Sequence, residues 1–123
     1  MITFAQFIME EGVPIYLQIL LYLKRGIAAG TILPGDELPS RRMLSSLLGV
    51  NPNTVQKAYH LLEEEGLIQS HSGAKSYVVF EEGTVERIRE ELTLQQVKSI
   101  IASMKQTGLS KEEALALLEK YWD

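Results

Sequence analysis

Asn53, Thr54, Gln56 and Lys57 stand close together in the run GVNPNTVQKAY (49–59). A side-chain amide donates and accepts at once, which suits Asn53 and Gln56 to the N6/N7 edge of adenine. Lys57 can reach a phosphate or a guanine, and Thr54 a phosphate or a thymine methyl. Arg41 and Arg42 precede them at the start of a predicted helix. The helix dipole disfavours cations at that end, so a phosphate drawn to the same helix N-terminus accounts for them better. For Arg41, a plain surface position explains the residue equally well. Ser40 before them is a helix cap that could also meet a phosphate. Farther along, Lys75 could enter a minor groove and His71 could touch the same polyanion. Alone, a polar helical face reads as solvated surface. This one has arginines ahead of it and a hairpin behind it, so nucleic-acid contact is the expectation.

Other chemistry is poorly served. The chain has no GxGxxG, P-loop or nucleophile elbow and no convincing acid–base pair, so an enzyme is not expected. His60 and His71 are the only histidines, and no HxxxH or carboxylate cluster joins them, so neither a metal nor a cofactor is expected. Cysteine is absent, which excludes disulfides and thiolate sites and fits a reducing compartment.

The 123 residues suit one small domain with an appendage, and the composition, 46% hydrophobic and 23% charged, is ordinary for a globular chain. No apolar run reaches the roughly 18–20 residues of a membrane span. The N-terminus MITFAQFIMEEG has no basic residue ahead of its apolar stretch and does not read as a signal peptide, so a cytoplasmic location is expected. The net charge of −4 argues mildly against a polyanion partner, but its distribution matters more. Residues 38–80 form the one positive segment, with Arg41, Arg42, Lys57 and Lys75 against the adjacent acids Glu63, Glu64 and Glu65. That acidic run should leave the groove.

The elements that must position these residues are legible in outline. Residues 14–29 read as a helix with Pro14 at its first position, an apolar stripe of Ile15, Ile19, Tyr22, Leu23 and Ile27, and Gly30 as its stop. Pro34-Gly35-Asp36 reads as a tight turn. Ser40 caps a second helix ending near Leu48, whose apolar face is Met43, Leu44, Leu47 and Leu48, with Gly49 just beyond. Asn51 caps the third helix and Pro52 takes its first position. Val55, Ala58, Tyr59 and Leu62 would face a core, and Asn53, Gln56, Lys57, His60 and Glu64 the opposite side. Leu67–Gln69 and Tyr77–Phe80 read as a β-hairpin.

Glu81-Glu82-Gly83 marks a junction, dividing an expected domain over 1–80 from a tail over 81–123. The tail reads as a helix over 84–106 and a last helix begun by a Ser110/Glu113 capping box. Two helices cannot bury their apolar stripes alone. Their leftover apolar surface needs a partner, either the first domain or a second copy of the chain, and a dimer seam would draw on Ile88, Leu92, Val97, Ile100, Ile101, Met104, Leu117, Leu118, Tyr121 and Trp122. The predicted fold is mostly α with a small β-hairpin: a winged helix-turn-helix followed by a two-helix tail.

The run PGDELPSRRMLSSLLGVNPNTVQKAYHLLEEEGLI (34–68), with PIYLQI (14–19) before it, resembles the DNA-binding domain of the GntR family of bacterial transcription regulators. The short two-helix tail resembles the YtrA-like branch. The resemblance implies a homodimer that binds double-stranded operator DNA and represses, often at transporter operons. It implies DNA contact by Arg42 and by the start of the third helix, from Asn51 onward. It also places Gly73, Ala74 and Lys75 in or near a minor groove. Pro52 stands where many relatives carry a basic residue, and GAKSYVV replaces their usual G-x-G-T-F-V wing ending. Two other classes compete: a regulator sensing a small effector at the tail junction, and a winged helix that binds protein.

Overall fold

Local capping chemistry sets the helix boundaries. In the computed structural model, which describes residues 1–71 and 75–123, α1 spans Ile15–Ala29 and ends on the left-handed Gly30. Pro14 lies just outside it, with the extended backbone (φ −55°, ψ 134°) of a flanking residue. α2 spans Arg41–Leu48, and the Ser40 Oγ accepts from the Met43 N–H at 3.1 Å. α3 spans Pro52–Glu64 and is capped by Asn51, whose Oδ1 accepts from the Asn53 N–H at 2.8 Å. Pro52 lacks an N–H, and the first helical position needs none.

The sheet has three strands, β1 (Glu37–Leu38), β2 (Ile68–His71) and β3 (Lys75–Val78), in the order β1-β3-β2, all antiparallel. Glu37 faces Tyr77, and Gln69 faces the same residue from the other side. Two residues are too few to show a period, so β1 was not expected from sequence. It forms because the Pro34-Gly35-Asp36 turn brings the chain onto β3, where Gly35 and Val78 exchange backbone hydrogen bonds with Val78 and Asp36 at 2.8 Å. Val79 and Phe80 lie beyond the ladder, although the Val79 N–H still donates to the Leu67 carbonyl at 2.8 Å.

The core joins α1, α2, α3 and the sheet. Ile19, Leu23 and Ile27 of α1 meet Val55, Ala58, Tyr59 and Leu62 of α3, with Leu38, Leu44, Leu67 and Val78 closing it. The expected apolar face of α2 is too wide. Leu44 is buried, but Met43 and Leu47, one turn apart, face solvent, and Leu47 is 67% exposed. The small Ser45 takes the second buried position, so the contact face of α2 is rotated toward Leu44 and Ser45.

The N-terminal segment packs on α1 through an aromatic cluster. Phe4 stacks on Tyr22 with centroids 4.8 Å apart, and Phe7 meets both rings edge-on. The Gln18 amide holds the segment by accepting from the Glu10 N–H and donating to the Glu10 and Val13 carbonyls.

Two compact units divide the chain, Met1–Ile88 and Arg89–Asp123, so the division falls inside α4 (Thr84–Gln106). Ile88 is fully buried at 0% exposure within the first unit. That corrects its assignment to a dimer seam, because its side chain is already enclosed by its own core. In the second unit, α5 (Lys111–Tyr121) starts on the Ser110/Glu113 capping box, closed by hydrogen bonds in both directions. Among the described residues this unit buries none. Val97, Ile100, Ile101, Leu117, Leu118, Tyr121 and Trp122 are exposed, Trp122 at 79%, while Leu92 and Met104 are half-buried.

Candidate nucleic-acid interface

The fixed start of α3 puts Asn53, Gln56, Lys57 and His60 on one exposed face, at helical spacing i, i+3, i+4, i+7. The buried face carries Val55, Ala58, Tyr59 and Leu62 against the core, so rotation of the helix is set from behind. Thr54 is half-buried at the edge of the two faces. The Lys57 Nζ sits 4.0 Å from the centroid of the Tyr16 ring on α1. That cation–π contact holds the lysine head at a defined place and brings α1 to the edge of the interface. Tyr16 had no signal in the sequence beyond its place in PIYLQI.

Neither α2 nor α3 carries an acid in its first turn. The positive ends of both dipoles are therefore left uncompensated by their own side chains. Ser40 and Asn51 are occupied as caps, each accepting a backbone N–H. Arg42 is exposed and makes no ion pair or side-chain hydrogen bond among the described residues. The Ser45 hydroxyl bonds only its backbone carbonyl, at 3.0 Å.

Arg41 behaves differently, because its guanidinium is engaged within the chain. Its Nη2 donates to Glu63 Oε1 at 3.0 Å and to Ser70 Oγ at 3.1 Å, and its guanidinium lies 5.2 Å from the Tyr59 ring centroid. Both hydrogen bonds leave the one Nη2 at the tip of the side chain. Tyr59 is itself buried and donates to the Pro39 carbonyl at 2.6 Å, immediately before the α2 cap. Burial pushes its hydroxyl well above the usual phenol range, with Arg41 pulling partly back, so it remains a donor.

The acidic run at the end of α3 is matched acid by acid. Glu63 pairs with Arg41 at 3.0 Å, Glu64 with His60 at 2.9 Å, and Glu65 with the buried Lys24 at 2.8 Å. Three carboxylates at a helix C-terminus oppose the dipole, and the Arg41 and Lys24 cations offset part of that cost. The sequence suggested only that the run should face away.

On the hairpin, His71 and Lys75 are exposed and directly paired across β2 and β3. The His71 ring meets Tyr77 edge-on at 5.4 Å. Gly73, with Ser72 and Ala74, lies outside the described residues. No group of three His, Cys, Asp or Glu side chains is placed to hold a metal among the described residues.

A helix-turn-helix whose third helix starts at a fixed cap, backed by a two-strand wing, defines a winged helix-turn-helix regulator that binds DNA through that domain. Comparison with known proteins agrees. The family described as "Bacterial regulatory proteins, gntR family" matches residues 15–78. The HTH-type transcriptional repressor YtrA of Bacillus subtilis is 36% identical over 106 residues, covering 85% of this chain and 81% of YtrA. The structure is similar to a GntR family transcriptional regulator from Listeria monocytogenes, with a TM-score of 0.75, 34% identity, and coverage of 91% of this chain and 98% of that one. It is also similar to the AraR DNA-binding domain in complex with operator ORR3, with a TM-score of 0.51, 31% identity, and coverage of 58% and 86%. The chain belongs to the GntR family of transcription regulators, and its likeness to YtrA extends past the DNA-binding domain into the tail.

Proposed function

We propose that the chain is a homodimeric, sequence-specific operator-binding repressor acting in the cytoplasm, at an operon of the transporter type. The observation that carries the reading is the exposed Asn53–Gln56–Lys57 face of α3, fixed in place by the Asn51 cap and the buried face behind it. Asn53 and Gln56 would read base edges, Lys57 would meet phosphate or guanine, Thr54 phosphate or a thymine methyl and Arg42 phosphate, and Lys75 and His71 would follow the groove beside the wing. The repressor sense is supported by the similarity to the transcriptional repressor YtrA, and the operator by the AraR complex.

Dimerisation is supported by the second unit itself. Its helices leave an open apolar hollow of about 330 Å³ lined by Met104, Leu117, Leu118, Tyr121 and Trp122, and bury none of its residues. An exposed apolar surface of this kind marks an interface. A two-fold pair of reading heads also fits a palindromic site. We assign residues 1–80 to the reading head and 81–123 to dimerisation, with Ile88 excepted.

The test has two arms. Fluorescence anisotropy with duplexes from the chain's own upstream region should show tight, salt-dependent binding confined to one protected site. Sedimentation of the free protein should show a dimer, reduced to a monomer by Ile101→Asp. Absence of salt-dependent DNA binding would leave the winged helix as a protein-interaction module. A wild-type monomer at micromolar concentration would refute the dimer.

A further inference from the structure

We propose that Arg41 is a positioning residue that seats the wing on the recognition helix, not a ligand of DNA. The inference rests on the operator-binding reading for its functional consequence, and on geometry for its structural one.

The contacts form a continuous chain from α2 to β3. Both hydrogens of the Arg41 Nη2 are used, one on Glu63 of α3 and one on Ser70 of β2. The Ser70 hydroxyl donates its single proton to the same Glu63 oxygen. Ser70 Oγ also lies 3.2 Å from Ser76 Oγ, so Ser76 must be the donor there. Ser76 is buried on β3 at 1% exposure, and a hydroxyl buried in that way needs a partner. The chain thus closes every valence of Ser70, and Arg41 supplies the charge that holds Glu63 to it. Tyr59 supports the guanidinium from below, at 5.2 Å. Arg41 reaches its partners 22 and 29 residues along the sequence, whereas the neighbouring Arg42 is exposed. Side by side, one arginine serves the scaffold and the other remains available to a phosphate.

Removing Arg41 should loosen β2 and β3 without removing a phosphate contact. The test uses Arg41→Ala, Arg41→Lys and Ser70→Ala in the full chain, with two readouts. The first is amide hydrogen exchange of β2 and β3 in the DNA-free protein. The second is the salt dependence of binding to a labelled duplex that the wild-type chain selects from a randomised pool. Arg41→Ala is expected to speed exchange in both strands about tenfold and weaken binding about tenfold, with the salt slope unchanged. Arg41→Lys should follow Ala, because the lysine chain ends one bond short of the Nη2 that donates to both Glu63 and Ser70. Ser70→Ala, a small neutral change that keeps the test open if Arg41→Ala fails to fold, should speed exchange in the same strands. Unchanged exchange in these variants overturns the proposal. So does full recovery by lysine, or a fall in the slope of about 0.9 per subunit, which would make Arg41 a phosphate ligand. If the wild type selects no duplex, the operator reading fails, and the exchange readout alone still decides whether Arg41 seats the wing.

Discussion

Arg42→Ala separates a phosphate contact from a structural one. Arg42 is exposed and its side chain has no partner among the described residues, while the Ser45 hydroxyl bonds only its carbonyl, which alanine retains. The substitution should therefore change stability by less than about 0.5 kcal/mol. Each phosphate neutralised by a protein cation adds about 0.9 to the slope of log affinity against log salt. A dimer presents Arg42 twice, so the slope should become shallower by about 1.8. Over a fourfold rise in salt, one lost phosphate corresponds to a factor of about 3.5 in affinity, and two to about 12. The variant should bind more weakly than wild type at low salt and approach it as salt rises. Anisotropy titrations across a potassium chloride series, paired with thermal unfolding to confirm the fold, measure both quantities. A parallel salt series with the same slope as wild type would refute the assignment, however much affinity was lost.

Gln56→Ala should leave the salt slope alone and relax base preference at one position, read by selection from a randomised duplex pool. An unchanged preference removes Gln56 as a reader. Tyr59→Phe deletes the donor to the buried Pro39 carbonyl and should destabilise the first unit by about 1–3 kcal/mol in denaturant unfolding. A neutral result would mean that water replaces the hydroxyl. The Glu113 carboxyl is held below its ordinary value of 4.5, chiefly by the backbone N–H of Ser110 and then by its hydroxyl. A lowered folded value means this contribution is complete above pH 4.5 and disappears as pH falls through the lowered value. Amide exchange at the start of α5 should rise over that acidic range in the wild type, and Glu113→Gln should flatten the dependence.

The candidate site was legible to the extent that its chemistry is local. The exposed polar face of α3 needed only the Asn51 cap, the Pro52 position and a helical period, and all of these act within a few residues. The contacts that fix it in place were not legible. Lys57 rests on Tyr16 from another helix, and the three glutamates find Arg41, His60 and Lys24, of which only His60 is a near neighbour on α3. The face of α2 was misread because Met43, Leu44, Leu47 and Leu48 are all apolar, and composition cannot say which of two adjacent stripes is packed.

By itself the sequence marked most helix ends, to within a residue at Pro14. Ser40, Asn51 and Ser110 cap α2, α3 and α5, and Gly30, Gly49 and Gly108 take the left-handed backbone just past α1, α2 and α4. Such signals need partners no more than a turn away, so the chain carries them wherever it goes. Tertiary structure decided what no neighbour could. It added β1 to the sheet, drew Ile88 into the first core, and gave two identical adjacent residues different surroundings. Arg41 turns inward because Glu63 and Ser70 wait 22 and 29 residues away, and Arg42, one helical step of about 100° around, meets none of them.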